Sequence, residues 1–147
     1  MKRNLNQSLK RNLEPDRDIL NVTRRIAENI SPDETFYILN VEDVLLKVNN
    51  WRRKLPRVTP YYAVKSNAHP TLLRILSALG VCFDCASKAE IKTVLSLGVH
   101  PSRIIFANPT KLPSHLEYAA EQNVNTTTAD GEVELYRIKQ LHPTAKY

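Results

Sequence analysis

Tyr61-Tyr62-Ala63-Val64-Lys65-Ser66-Asn67 is a short apolar run with a lysine near its end. Its aromatic and β-branched content, with Pro60 before it and Asn67 and Pro70 after it, reads as a strand and its exit loop. Side chains alternate on an extended strand, so Tyr61, Ala63 and Lys65 share one face while Tyr62 and Val64 share the other. If Tyr62 and Val64 pack against helices, Lys65 points into the opposite interior. Desolvation there favours the neutral amine, which attacks an aldehyde to form a Schiff base. The competing reading of the same spacing is a surface lysine whose stem covers an apolar edge.

The pattern of strand then helix recurs downstream. Short β-like runs begin near Thr59, Cys82, Ile104 and Asn125. Each precedes a helical pattern, and the period of roughly 22 residues marks repeated βα units with parallel strands. The first helix reads Leu72, Leu73, Leu76 and Leu79 and stops at Gly80; the second reads Ile91, Val94, Leu95 and Leu97 and stops at Gly98. Glycine just past the last periodic residue is a common C-terminal cap. Ser87 with Glu90, and Ser114 with Glu117, have the spacing of capping boxes for the second and third helices. Asp130 is the expected N-cap of the fourth, whose apolar members are Val133, Leu135 and Ile138.

Other folds of similar period fit less well. The leucine-rich repeat signature is absent. A doubly wound nucleotide-binding sheet needs a glycine-rich loop after its first strand, and the chain has only Gly80, Gly98 and Gly131. An α/β fold of the (β/α)8 barrel type remains, with functional groups at the C-terminal strand ends, and four βα units are half of such a barrel. Lys65, Asp84, Asn108 and Asp130 all fall at such ends. Upstream, Val44, Leu45, Val48, Trp51 and Leu55 form an amphipathic helix closed by Arg52-Arg53-Lys54, cations that suit a helix C-terminus. Phe36-Tyr37-Ile38-Leu39-Asn40 reads as a further strand. The division expected is a basic segment over 1–34 and a partial barrel of about four βα units over 35–147.

The chain has 147 residues, 42% hydrophobic and 24% charged, which describes a globular protein with a sizeable core. No apolar stretch approaches membrane-spanning length and no apolar signal core follows Met1, so a cytoplasmic protein without membrane contact is expected. The net charge of +6 is loaded at the start by Lys2, Arg3, Lys10, Arg11, Arg17, Arg24 and Arg25, where Leu5, Leu9 and Leu13 recur every four residues. This is an amphipathic helix or a loose basic tail; without interleaved aromatics it gives no support for nucleic-acid binding. Cys82 and Cys85 suggest a redox or zinc pair, but residues three apart on a strand diverge and no second pair completes a zinc site. Both are expected to be buried reduced thiols. His69, His100, His115 and His142 are scattered, and no metal is expected.

Tyr62-Ala63-Val64-Lys65-Ser66-Asn67 resembles the cofactor-lysine strand of the fold III decarboxylases that use pyridoxal phosphate, a group including ornithine, diaminopimelate and arginine decarboxylases. Further blocks stand in that family's order and spacing: Leu55-Pro56-Arg57-Val58-Thr59-Pro60, Phe83-Asp84-Cys85-Ala86-Ser87, Ala107-Asn108-Pro109 and Asp130-Gly131-Glu132-Val133-Glu134-Leu135. Together they resemble the ornithine decarboxylase branch from about Phe36 onward. The resemblance implies pyridoxal 5′-phosphate held as a Schiff base at Lys65, with Asp84 and Glu90 at the cofactor site. It implies loss of an amino acid's α-carboxylate, with ornithine giving putrescine, the entry to polyamines, in a homodimeric full-length enzyme.

In the family the N-terminal stretch joins a C-terminal β-domain, and the phosphate loop and the groups lent by a second subunit lie beyond the fourth unit. The 147-residue chain alone is therefore expected to be inactive. Vertebrate-type relatives bind antizyme through the third and fourth βα units, where basic residues contribute. Here Glu117 replaces a basic residue and Glu121, Glu132 and Glu134 add negative charge, which counts against antizyme binding. A non-catalytic relative that regulates by binding antizyme, or a truncated product, would also keep Lys65.

Overall fold

The computed structural model describes residues 19–147, so the leucine repeat at Leu5, Leu9 and Leu13 lies outside the described residues. The chain divides into two compact units after Leu39. The first contains α1 (Ile19–Ala27), whose last turn carries Arg24 and Arg25. Residues 36–40 form no strand. Asn40 instead caps the next helix, its side chain accepting from the Asp43 N–H at 3.1 Å. Asn40 is itself extended as an N-cap, at φ −81° and ψ 101°, so what 36–40 lacks is a strand to pair with among the described residues.

The second unit opens with α2 (Val41–Lys54), which has Glu42 and Asp43 in its first turn and Arg52, Arg53 and Lys54 in its last. Both charge sets complement the helix dipole. The repeat follows: β1 (Tyr61–Ala63), α3 (Pro70–Ala78), β2 (Cys82–Cys85), α4 (Lys88–Ser96), β3 (Ile104–Phe106), α5 (Pro113–Glu121), β4 (Thr126–Thr127) and α6 (Glu132–Leu141). The strands start 21 or 22 residues apart. They pair in parallel in the order β1-β2-β3-β4. Each crossover steps to the next neighbour in the same direction, so right-handed connections put every helix on one side of the sheet. A doubly wound sheet would reverse direction. After α6 the chain returns and Lys146 makes a parallel bridge with Thr126, the first rung of a fifth position.

Strand alternation sorts the two faces. Toward the helices point Val64, Phe83, Cys85, Ile104 and Phe106, all fully buried, meeting Leu73, Ile91, Val94, Leu116, Ala119 and Ile138. Burying each of these large side chains contributes about 1.5–3 kcal/mol before the entropy of ordering it. On the opposite face Ala63, Asp84, Ile105 and Thr126 lie side by side in register, all only partly buried. This open face is the one that a closed barrel would enclose.

The helix ends follow the glycine reading. Gly80 and Gly98 take φ of +73° and +80° just past α3 and α4. After α5 the left-handed position falls to Asn123 at φ +58°, with Val124 N–H closing onto Ala119 O at 2.9 Å. The helix starts are less regular. α5 begins with Pro113 after Leu112, which has no side-chain cap bond, so Ser114 and Glu117 form no capping box. Proline at the first helical position lacks the N–H that a cap would serve. Gly131, not Asp130, is the N-cap of α6, again without a side-chain bond. That start turns Val133 outward at 74% exposure and buries Glu134 and Ile138.

Candidate active site

Lys65 lies in a single 3-10 turn, Val64–Ser66, that ends β1. The turn is fixed by Ser66 Oγ donating to Ala63 O at 2.7 Å and Tyr62 OH donating to Asn67 O at 3.0 Å. Val64 is fully buried and Tyr62 packs on the core, as expected for their face, but β1 ends at Ala63 and strand alternation does not extend to Lys65. The expected desolvation does not hold either: Lys65 is exposed, because the residues described here wall only the helix side of the sheet.

Asp84 is the nearest acidic position on the next strand, its Cα paired in register with that of Ala63. Neither the Lys65 ammonium nor the Asp84 carboxylate forms an ion pair or hydrogen bond among the described residues. Both therefore stand at the C-terminal end of the sheet with their polar atoms uncommitted. Thr128, just past β4, has a buried hydroxyl without a partner among the described residues.

Glu90 is held more tightly. Its N–H donates to Ser87 Oγ at 3.2 Å, and its Oε2 accepts from the Ala86 N–H at 2.8 Å. This is the reciprocal cap foreseen from the Ser87–Glu90 spacing, reaching one residue further back than the N-cap itself. Asn108 Nδ2 donates to Ala86 O at 3.2 Å, and Asn108 Oδ1 accepts from the Thr110 N–H at 3.2 Å. Lys65, Asp84, Glu90 and Asn108 thus all bear on the ends of β1, β2 and β3. Asp130 is exposed and makes no cap bond.

Cys82 and Cys85 are free and buried, as expected. Burial, then the Glu90 and Asp84 carboxylates, push the Cys85 thiol up to about 12. Among the described residues no group of three His, Cys, Asp or Glu could hold a metal.

One cluster escaped the sequence. Lys111 is 2% exposed, and its Nζ donates to Thr128 O and lies 3.4 Å from Glu134 Oε1. Glu134 Oε1 also accepts from the Lys111 N–H at 3.1 Å, and Arg137 pairs with Glu134 Oε2 at 2.7 Å. Burial lowers the Lys111 pKa from the ordinary lysine range, and the Glu134 carboxylate opposes that shift. The Glu134–Arg137 spacing of three was the only signal available, and that spacing is common on solvated helices.

The family model for the pyridoxal-dependent decarboxylase pyridoxal binding domain matches residues 41–147. Ornithine decarboxylase of Candida albicans (strain SC5314 / ATCC MYA-2876) is 49% identical over 123 residues, covering 81% of this chain and 26% of the relative. That of Rattus norvegicus is 47% identical over 132 residues, covering 88% and 28%. The crystal structure of the Paramecium bursaria Chlorella virus arginine decarboxylase bound to agmatine superposes with a TM-score of 0.81 at 40% identity, covering 86% of this chain and 34% of that one. The chain thus spans about a quarter of the length of the curated relatives it matches. With its parallel sheet, strand-end lysine and matched domain, the chain belongs to the pyridoxal-dependent decarboxylases.

Proposed function

We propose that the protein carrying this chain is a pyridoxal phosphate-dependent decarboxylase acting on ornithine, with Lys65 as the cofactor's attachment point. The observation that carries the reading is the placement of Lys65. It is an uncommitted amine at the C-terminal end of a parallel strand, with the acidic Asp84 on the adjacent strand. The residues fit the cofactor's aldehyde end, which needs an amine and an opposite charge beside it. When bound, the cofactor supplies an electron sink that lets an amino acid's α-carboxylate leave as carbon dioxide.

Each residue contributes separately. Lys65 Nζ would hold the cofactor by its aldehyde carbon, and the exposure of Lys65 leaves that end of the site open to substrate. The Asp84 carboxylate favours a protonated nitrogen at that position by opposite charge. Glu90 shapes the site through the Ala86 peptide, one of its oxygens being already taken by that N–H. The identity to ornithine decarboxylases favours ornithine over arginine, and putrescine as the product.

The reading includes a homodimer for the full-length protein and no antizyme. Glu117, Glu121 and Glu132 are exposed on α5 and α6, whereas Glu134 is buried with Lys111 and adds no surface charge. The test is carbon dioxide release from labelled ornithine. The full-length protein with pyridoxal phosphate is expected to release it, and the Lys65→Ala variant and the isolated 147-residue chain are not. Release by the Lys65→Ala variant, or none from the full-length protein, would overturn the assignment, and release by the isolated chain would overturn its expected inactivity.

A further inference from the structure

The Ala86 backbone is gripped at both the peptide before it and the peptide after it. Its N–H donates to Glu90 Oε2 at 2.8 Å and its carbonyl accepts from Asn108 Nδ2 at 3.2 Å. Backbone pairing between β2 and β3 has by then run out, its last bond being Ala107 N–H to Cys85 O at 2.8 Å. Asn108 adds one more rung with its side chain. Its Oδ1 at the same time takes the Thr110 N–H, so the amide orientation is set by one neighbour that must donate and one that must accept. A turn would need only the Oδ1 half of that pair. The donor half, spent on another strand's end, is unexplained by turn formation.

Ala86 follows the last residue of β2, two residues after Asp84 and four before Glu90. We propose that Asn108 is a positioning residue for the cofactor site: through the Ala86 backbone it fixes where the Asp84 and Glu90 carboxylates stand relative to Lys65. The inference rests on the reading of Lys65 given above. Asn108 touches neither carboxylate. It acts by holding the peptide that lies between them in the chain, as outer groups hold the ligands of other sites.

Asn108→Asp tests this in the full-length protein, because it keeps an acceptor for Thr110 N–H and replaces the donor with an anion facing a carbonyl. Two quantities are read: deuterium exchange over residues 84–90 in the apoprotein, and pyridoxal phosphate binding by absorbance titration across pH. Exchange is expected to quicken, cofactor affinity to fall by roughly ten-fold, and the pH profile of the bound cofactor's band to shift. A merely structural asparagine would lower the melting temperature and leave affinity and pH profile at wild-type values, which would overturn the proposal. If Asn108→Asp does not fold, Asn108→Ser carries the same expectations, since its hydroxyl serves Thr110 but falls short of Ala86. Absence of any cofactor band in the wild type would instead defeat the functional reading. Exchange over residues 84–90 would then decide the clamp alone, and unchanged exchange would overturn it.

Discussion

Cys85 shows how one side chain's chemistry follows from strand parity. Cys82 shares the open face with Asp84, while Cys85 turns to the helices and is fully buried. Burial and two nearby carboxylates hold its thiol protonated, with the pKa up to about 12. The thiolate, not the thiol, attacks iodoacetamide, so at about pH 8 Cys85 of the folded protein is expected to stay unmodified and to react after unfolding. Mass spectrometry of the labelled peptides checks this, and fast native-state labelling of Cys85 would contradict it. The same parity made the faces of Tyr62 and Ala63 legible from seven residues, but it stops short of Lys65, which falls in the 3-10 turn past β1. Its solvent exposure was not legible, because enclosure depends on walls contributed by residues far away in sequence.

Elements were legible where a periodic signal coincided with a backbone requirement. Gly80 and Gly98 mark helix ends because left-handed φ values are cheap only without a side chain. Helix starts were harder to read, since Pro113 and Gly131 replaced the side-chain caps expected at Ser114 and Asp130. The β3–α5 connection was the least legible, because Lys111 looks like a surface cation until α6 folds over it. Its cluster makes an asymmetric prediction. Glu134→Ala strands a buried ammonium and should cost about 3–5 kcal/mol. Lys111→Met should cost less, because Glu134 keeps Arg137 at 2.7 Å. Thermal melting of the two full-length variants gives the order, and Lys111→Met melting at or below Glu134→Ala would contradict it.

At the scale of the whole molecule, the repeat period, parallel strands and one-sided helices were readable from strand and helix patterns alone. The strand at 36–40 was not, because pairing needs a neighbouring strand and 36–40 has none among the described residues. Among the described residues no helix is long and apolar enough to cross a membrane. What the sheet presents is a helix-covered core on one side and, on the other, an open row from Ala63 to Thr126 with Lys65 at its edge. The proposed function puts the cofactor on a single lysine, and the most direct measurement maps it. The full-length protein is loaded with pyridoxal phosphate, reduced with borohydride to fix the imine, digested and sequenced by mass spectrometry. The expected result is a phosphopyridoxyl group on Lys65 and on no other lysine of this chain. A group found on a different lysine, or none anywhere, would contradict the account.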